Sequence, residues 1–357
     1  MGDSEATLPT TMAAAVYRER GSLTVEERPL PEVGPTDVLL EVAYCGVCGT
    51  DLHLVLDGWG RPGSVLGHEY TGRVVAVGSE VVGWEVGDEA LEGQTEKCGT
   101  CRYCVEGRRA LCEARDTPGT GLWDGAFAGY TVVPASDLLR VPDGVGLREA
   151  ALAEPLAVAL HAITLGRLRP DQRALVSGVG PIGALIVAAL VARGHDDVKV
   201  VEPGAARQEL ARGLGAATVV APDELEEPSW DPGAPVDDAC DVVFECSGKR
   251  QAIETGFGQL ARAGRLVLVG TGLDAPSFDP NRIILGELEI TGAFTYDDSG
   301  FEDALALLAT GKRPTDLLLE RHDVPLTGLL DAMVDLAEGR LAGKVLVSPT
   351  ANAEEQP

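Results

Sequence analysis

The stretch "RALVSGVGPIGALIVAALVARG", residues 173–194, narrows the fold more than any other part of the chain. A short apolar run ends in Gly178, Gly180 and Gly183 at GxGxxG spacing, and a long apolar run opens at Pro181 and Ile182. Glycines at a strand-to-helix turn allow a tight bend and close backbone approach, while the amides that open the helix face an anion. Glu202 closes the next strand-like run, "DVKVVE", 19 residues beyond Gly183. That context turns a weak glycine pattern into a dinucleotide fingerprint, with Glu202 placed to accept hydrogen bonds from ribose hydroxyls. The carboxylate would repel a 2′-phosphate and so favours NAD, although Arg207 could still reach such a phosphate and keeps NADP open.

Further runs continue the alternation. "CDVVFECSG", "GRLVLVG" and "LEITGAF" read as strands, and "AARQELARGLG" as a helix, so residues 161–296 predict a parallel, doubly wound sheet. Before it, from about residue 13 to 142, valine-rich runs such as "DVLLEVAYCG" and "YTGRVVAVG" are separated by Gly, Pro and Asp. They predict a β-rich unit with many turns. After it, "SGFEDALALLATGK" and "LTGLLDAMVDLAEGR" have helical spacing and "GKVLVSP" is strand-like, so residues 297–357 are expected to pack back on the first unit. Residues 221–238, rich in Pro and acid, read as a surface excursion.

Charge and targeting signals exclude several classes. A formal charge of −27 argues against nucleic acid, whose binding needs a basic face. The apolar stretch 182–192 is shorter than the roughly 20 residues that span a bilayer, so no membrane segment is expected. The N-terminus lacks a basic and apolar leader pattern, and a cytoplasmic protein is expected.

Four of the eight cysteines form "CGTCRYCVEGRRALC", a CxxCxxCx7C pattern of Cys98, Cys101, Cys104 and Cys112. Without a leader, such clustering points to metal and not to disulfides, and an all-thiolate tetrahedral set leaves no open position. This is a structural site in a lobe at about 93–115. Elsewhere "GVCGTDLH" offers Cys48, Thr50, Asp51 and His53, and "GHE" offers His68 and Glu69. Cys48, His68 and Glu69 are too few to close a site. Glu154, a carboxylate in the apolar "ALAEPLAVALHA", is the candidate for a further ligand because its surroundings call for a compensating cation. His161 reads as a core residue, His195 and His322 as surface residues, and Cys45, Cys240 and Cys246 as small packed hydrophobes.

These motifs, together with "GWEVGD", "GAFAGYTVVPA" and "NRIILGELEITGAF", resemble the zinc-dependent medium-chain alcohol and polyol dehydrogenases over about residues 13–348. The resemblance implies an α/β chain with a GroES-like β-rich catalytic domain at 1–160, a Rossmann domain at 161–296 and a return segment at 297–357. It implies two Zn2+ ions, NAD or NADP, an alcohol or ketone substrate, and a homodimer or homotetramer. Carried onto this sequence, it makes Cys48 and His68 ligands of a catalytic zinc, with Glu69 beside or on the metal. Glu154, the "EPL" glutamate, is a ligand or holds the metal's water in the sorbitol, threonine and glucose dehydrogenase branches; which carboxylate binds stays open. Thr50 would take the proton of the substrate oxygen and His53 would pass it to solvent, while Asp51 would orient a ligand.

Phe294 joins the cofactor set, and the pocket walls are sought around Leu56 to Trp59, Leu122, Trp123 and Phe294. Lys344 is left between the cofactor pyrophosphate and the surface. Gly129 stands where the family often has glutamate. A zinc-free enone or quinone reductase on the same fold, and a non-catalytic cofactor-binding protein, are the competing readings. The set of Cys48, His68, Glu69 and Glu154 opposes the first, and Thr50 with His53 opposes the second.

Overall fold

A computed structural model describes residues 8–93, 97–114, 124–296, 299–311 and 315–350. Leu122 and Trp123 lie outside the described residues. Residues 173–194 fold as their pattern dictates. Ala174–Ser177 is a fully buried strand, and Pro181–Ala192 is a helix with Gly180 as its N-cap residue and proline in its first turn. Proline fits there because its missing amide would have no partner within the helix.

Six parallel strands make one sheet, in the order Thr218–Val220, Val198–Val201, Ala174–Ser177, Cys240–Glu245, Leu260–Leu268, Glu289–Gly292. Numbered along the chain, this is the 3-2-1-4-5-6 order of the doubly wound dinucleotide fold. The switch point lies between Ala174–Ser177 and Cys240–Glu245, where the glycine loop stands. Near-continuous Val and Leu in these strands fit a sheet covered on both faces.

The second large sheet is antiparallel. Asp37–Gly46 is its hub, pairing with Glu69–Val77, Tyr130–Pro134 and the C-terminal strand Leu346–Val347. Glu89–Glu92 and Leu138–Arg140 extend it, and a hairpin of Thr11–Glu19 with Ser22–Pro29 lies alongside. Helix Leu329–Ala337 places Leu329, Met333 and Leu336 in the core shared with Val42, Val47 and Phe127. Each such side chain buried contributes about 1.5–3 kcal/mol. The C-terminal segment therefore packs on the antiparallel sheet through both a strand and a helix.

One helical run, Leu147–Gly166, is long and apolar enough to cross a membrane by length and composition, unlike the shorter 182–192 stretch. It lies inside the protein instead: Ala153, Leu156, Ala157, Ala159 and Ala162 are fully buried in the core shared with Leu185, Val176 and Phe244. Residues 221–238 form an irregular, largely exposed excursion with one short 3-10 turn at Pro222–Glu224.

Candidate active site

Cys48 is the N-cap residue of helix Gly49–Val55, directly after the hub strand. The fully buried Asp51, one turn in, accepts a hydrogen bond from the Cys48 amide at 2.9 Å. Its other oxygen lies 3.8 Å from His68 Nδ1. One carboxylate thus faces both Cys48 and His68 from behind. Burial raises the Asp51 carboxyl, against the pull of His68.

His68 and Glu69 sit where the chain enters strand Glu69–Val77, which pairs Glu69 with Gly46. Ligand atoms of Cys48, His68 and Glu69 all lie within 4.8 Å of one another. Cys48 and His68 are partly accessible, whereas Glu69 is 1% exposed. Burial alone would depress the His68 imidazole, but the charges of Cys48 and Asp51 raise it well above its ordinary value. A site that draws a proton so strongly onto an imidazole is cation-seeking, and a thiol, an imidazole and a carboxylate are the donors that zinc accepts.

Glu154, in the first turn of helix Ala153–Gly166, stands outside that compact group but within electrostatic reach of it. Burial, then the charge of Glu69, pushes its carboxyl up to about 7. Two residues not foreseen complete the surroundings. Lys344 is neither at the surface nor free for a cofactor: at 2% exposure its ammonium donates to both Glu69 oxygens, at 2.6 and 2.7 Å, and to the Val47 carbonyl at 3.1 Å. Glu92, at the end of strand Glu89–Glu92, has one buried oxygen with no hydrogen-bond partner among the described residues. Burial drives its carboxyl up, and His68 opposes this. Nothing local in "EALEG" marks that residue, and a single Lys in "GKVLVSP" is equally mute.

Thr50 and His53 stand on the same short helix, both partly exposed. His53 Nδ1 is 2.6 Å from Asp57 Oδ2, and the imidazole stacks on Trp59 with ring centroids 4.9 Å apart. A carboxylate at that distance engages Nδ1 and leaves Nε2 as the free face.

In the lobe, Cys98, Cys101, Cys104 and Cys112 bring their sulfurs within 4.8 Å of one another, and all four thiols are free. The Cys101 amide donates to Cys98 Sγ at 3.4 Å. Amide hydrogen bonds from Cys101 and Thr100 lower the Cys98 thiol to about 6, whereas burial raises Cys104 to about 12. Four convergent sulfurs with no other ligand fit a closed zinc site. Cys45, Cys240 and Cys246 join no such cluster among the described residues and pack against the hydrophobic cores. His161 is buried, His195 is half-buried and His322 is exposed.

At the cofactor loop, Gly178 has φ +88, and a Cβ on Gly183 would lie 2.0 Å from the Gly178 carbonyl oxygen. Both are glycine because the loop folds onto itself. A Cβ on Gly180 would meet nothing within 4 Å, so this N-cap position borders open space at the mouth of the helix, as a pyrophosphate cradle requires. Glu202, 4% exposed, accepts from the Val179 amide at 2.8 Å and the Gly204 amide at 2.9 Å, which fixes it beside the loop. Arg207 points elsewhere: its guanidinium donates to the Leu336 carbonyl at 3.0 Å and the Leu341 carbonyl at 3.2 and 3.3 Å. Phe294 is 45% exposed, just past strand Glu289–Gly292. Gly129 has room for a side chain, with Met12 Cβ nearest at 3.8 Å.

Known proteins are similar to this chain in sequence and in fold. Residues 34–143 match the family model described as the alcohol dehydrogenase GroES-like domain, and residues 181–310 match that of the zinc-binding dehydrogenases. Sorbitol dehydrogenase of Bacillus subtilis is 32% identical over 321 residues, covering 85% of this chain and 88% of its own. The 2-dehydro-3-deoxy-L-galactonate 5-dehydrogenase of Pseudoalteromonas atlantica is 35% identical over 316 residues, 84% of this chain and 88% of its own. Among solved structures, acetophenone reductase from Geotrichum candidum, in complex with NAD, superposes with a TM-score of 0.82 at 27% identity, covering 96% of this chain and 98% of its own.

Proposed function

The chain belongs to the zinc-dependent medium-chain alcohol and polyol dehydrogenases, and from that premise we propose that it moves a hydride between a secondary alcohol of a polyol, sugar or cyclitol and a nicotinamide dinucleotide, with NAD preferred to NADP. The observation that carries this reading is the convergence of Cys48, His68 and Glu69 within 4.8 Å, with Glu154 buried within electrostatic reach of His68 and Glu69. Cys48 and His68, with Glu154 or Glu69, would hold a catalytic zinc, and Cys98, Cys101, Cys104 and Cys112 a structural one. At the first site the ion supplies Lewis-acid polarisation of the substrate oxygen.

The remaining work falls to the chain itself. Asp51 holds Cys48 through its amide and backs His68, so both donors keep their orientation. The Thr50 hydroxyl relays the proton of the substrate alcohol, giving up its own as it accepts that one, and His53, with Nδ1 engaged by Asp57, completes the route to solvent. The amides at the start of helix Pro181–Ala192 bind the pyrophosphate. Glu202 keeps acceptor capacity for the adenosine ribose, while Arg207, bonded to two backbone carbonyls, is committed there and not to a 2′-phosphate.

The relatives named for sorbitol and a deoxygalactonate support a polyhydroxylated substrate, and the NAD complex of the Geotrichum reductase supports the cofactor. The proposed units are 1–160, 161–296 and 297–357, acting in a reducing cytoplasm that keeps the lobe thiols free. Exposed Ile284, Leu285 and Phe294 near edge strand Glu289–Gly292 support a homo-oligomer. The test is metal analysis of the purified chain, followed by NADH formation over sugars, cyclitols, amino alcohols and simple alcohols, repeated with NADP. Metal-replete protein that oxidised no secondary alcohol would overturn the reading.

A further inference from the structure

Glu69 is held in its place by Gly46 and Lys344. A Cβ on Gly46 would lie 2.1 Å from Glu69 Oε2, so the absence of a side chain at Gly46 is what lets the carboxylate lie across the hub strand. Lys344 holds both of its oxygens, at 2.6 and 2.7 Å, and is itself anchored on the Val47 carbonyl. Lys344 reaches this spot because the strand that follows it, Leu346–Val347, pairs with Gly46 and Cys45, and because the Val47 amide donates to the Val345 carbonyl at 3.0 Å.

The charge balance gives this clamp a purpose. A thiolate from Cys48 and a carboxylate from Glu154 already match the two positive charges of a zinc ion, and Glu69 with Lys344 forms a second neutral set. A buried carboxylate deprived of its ammonium would be strongly driven to the nearest remaining cation. Glu69 is close enough to find it, since its oxygen belongs to the same 4.8 Å group as Cys48 and His68. We propose that Lys344 is a positioning residue of the catalytic ion site: by occupying both oxygens of Glu69 it keeps that carboxylate off the ion and leaves the ligand position open for water or substrate. The inference rests on the catalytic-ion reading above and adds a role for the chain's C-terminal return.

The test uses full-length protein loaded with Co2+, following metal release to a chromophoric chelator. In the wild type, Cys48→Ser should abolish the thiolate-to-cobalt absorption of this site; if it does not, the ion-site reading fails, whatever Lys344 does. With that established, Lys344→Met should slow cobalt release by about tenfold or more, as an added carboxylate ligand would, while turnover falls. Lys344→Met combined with Glu69→Gln removes both charges and should return release to within about threefold of wild type. Lys344→Arg should keep the wild-type release rate. Should Lys344→Met fail to fold, Glu69→Gln alone decides, because a carboxylate held off the ion can be neutralised without hastening release. Release at or above the wild-type rate in Lys344→Met, a double variant that stays slow, or Glu69→Gln that releases metal about tenfold faster would each overturn the proposal.

Discussion

Replacing Glu154 by glutamine should change the metal-free protein and the metal-bound protein in opposite directions. In the absence of an ion, burial and the neighbouring Glu69 carry the Glu154 carboxyl from its ordinary 4.5 up to about 7. Each pH unit of that displacement is worth about 1.4 kcal/mol, so ionised Glu154 costs the metal-free fold up to about 3 kcal/mol. Between those two values the folded chain binds a proton that the unfolded chain has released. Wild-type metal-free protein therefore loses stability as the pH rises from 4.5 to about 7, and the loss is complete above that. Glutamine has no such proton, so Glu154→Gln should be nearly equal to wild type in stability at about pH 5 and more stable by up to about 3 kcal/mol at about pH 8. In a chain of this size that amounts to a rise of several degrees, about 2–4 °C for each kcal/mol, in the melting midpoint. The assay is thermal unfolding of both proteins across that pH range, with the catalytic site stripped and the cysteine lobe treated identically in each. With zinc restored the order should reverse, because the variant has lost a compensating charge and should hold the catalytic ion about 10–100-fold more weakly. A stability difference that did not grow with pH, or a variant that held zinc as well as wild type, would show that Glu154 is no part of the ion's surroundings.

The second and third glycines of the cofactor loop should separate fold from binding. Gly183→Ala places a methyl 2.0 Å from the Gly178 carbonyl oxygen and should destabilise the protein by about 2 kcal/mol or more, seen in its melting midpoint. Gly180→Ala meets no protein atom, so it should melt like wild type yet bind NAD at least about tenfold more weakly by titration calorimetry. Glu202→Gln keeps the shape and removes the charge, and should improve the ratio of NADP to NAD use by about tenfold in steady-state kinetics. It should also cost about 1 kcal/mol, because an amide group would replace one acceptor of the Val179 and Gly204 hydrogen bonds. Metal analysis should find two zinc ions in wild type; Cys101→Ser should lose the lobe ion together with folding yield, and Cys48→Ser should lose turnover with the fold kept.

What could be read in the sequence follows the range of the interactions. Strands Val198–Val201 and Cys240–Glu245 each carry a Val-Val pair and are buried along nearly their whole length, so their composition alone marks them. Thr218–Val220 is not marked, because it is three residues long and lies at a sheet edge where only one neighbour holds it. Helix Arg250–Gly258 buries Ile253 and Phe257 on one face, but two glycines in nine residues mask its period. Helix Pro280–Gly286 had a start signal, an Asp279 cap accepting from the Asn281 amide with proline next, that passes easily for a turn. In the site, the four lobe cysteines and the Cys48 to Asp51 turn are local, and spacing suffices to find them. Lys344 meets Glu69 across 275 residues, a contact that no spacing rule reaches.

Arg207 shows the same limit from the other side, and its place has a physical reason. Where helix Leu329–Ala337 ends, the Leu336 carbonyl already accepts from the Gly339 amide at 3.2 Å, and the Arg207 guanidinium adds a charged donor there and at the Leu341 carbonyl beyond the helix. Arg207 belongs to the helix after Glu202, whereas Leu329 and Met333 of the same C-terminal helix are packed into the core of the antiparallel sheet. A second basic residue works from the opposite side: Arg148, just before Glu154, donates to both carboxylate oxygens of Asp323 at 3.0 and 3.1 Å and to the Glu320 carbonyl. The C-terminal return is thus tied to helix Ala205–Gly213 of the cofactor unit by Arg207, to the short helix Leu147–Ala150 ahead of Glu154 by Arg148, and to Glu69 by Lys344. Arg207, Arg148 and Lys344 are each committed to holding that segment. On the proposed reading, selectivity for the dinucleotide rests on Glu202 and the loop glycines, and the geometry of the ion site on the strand Leu346–Val347 that positions Lys344.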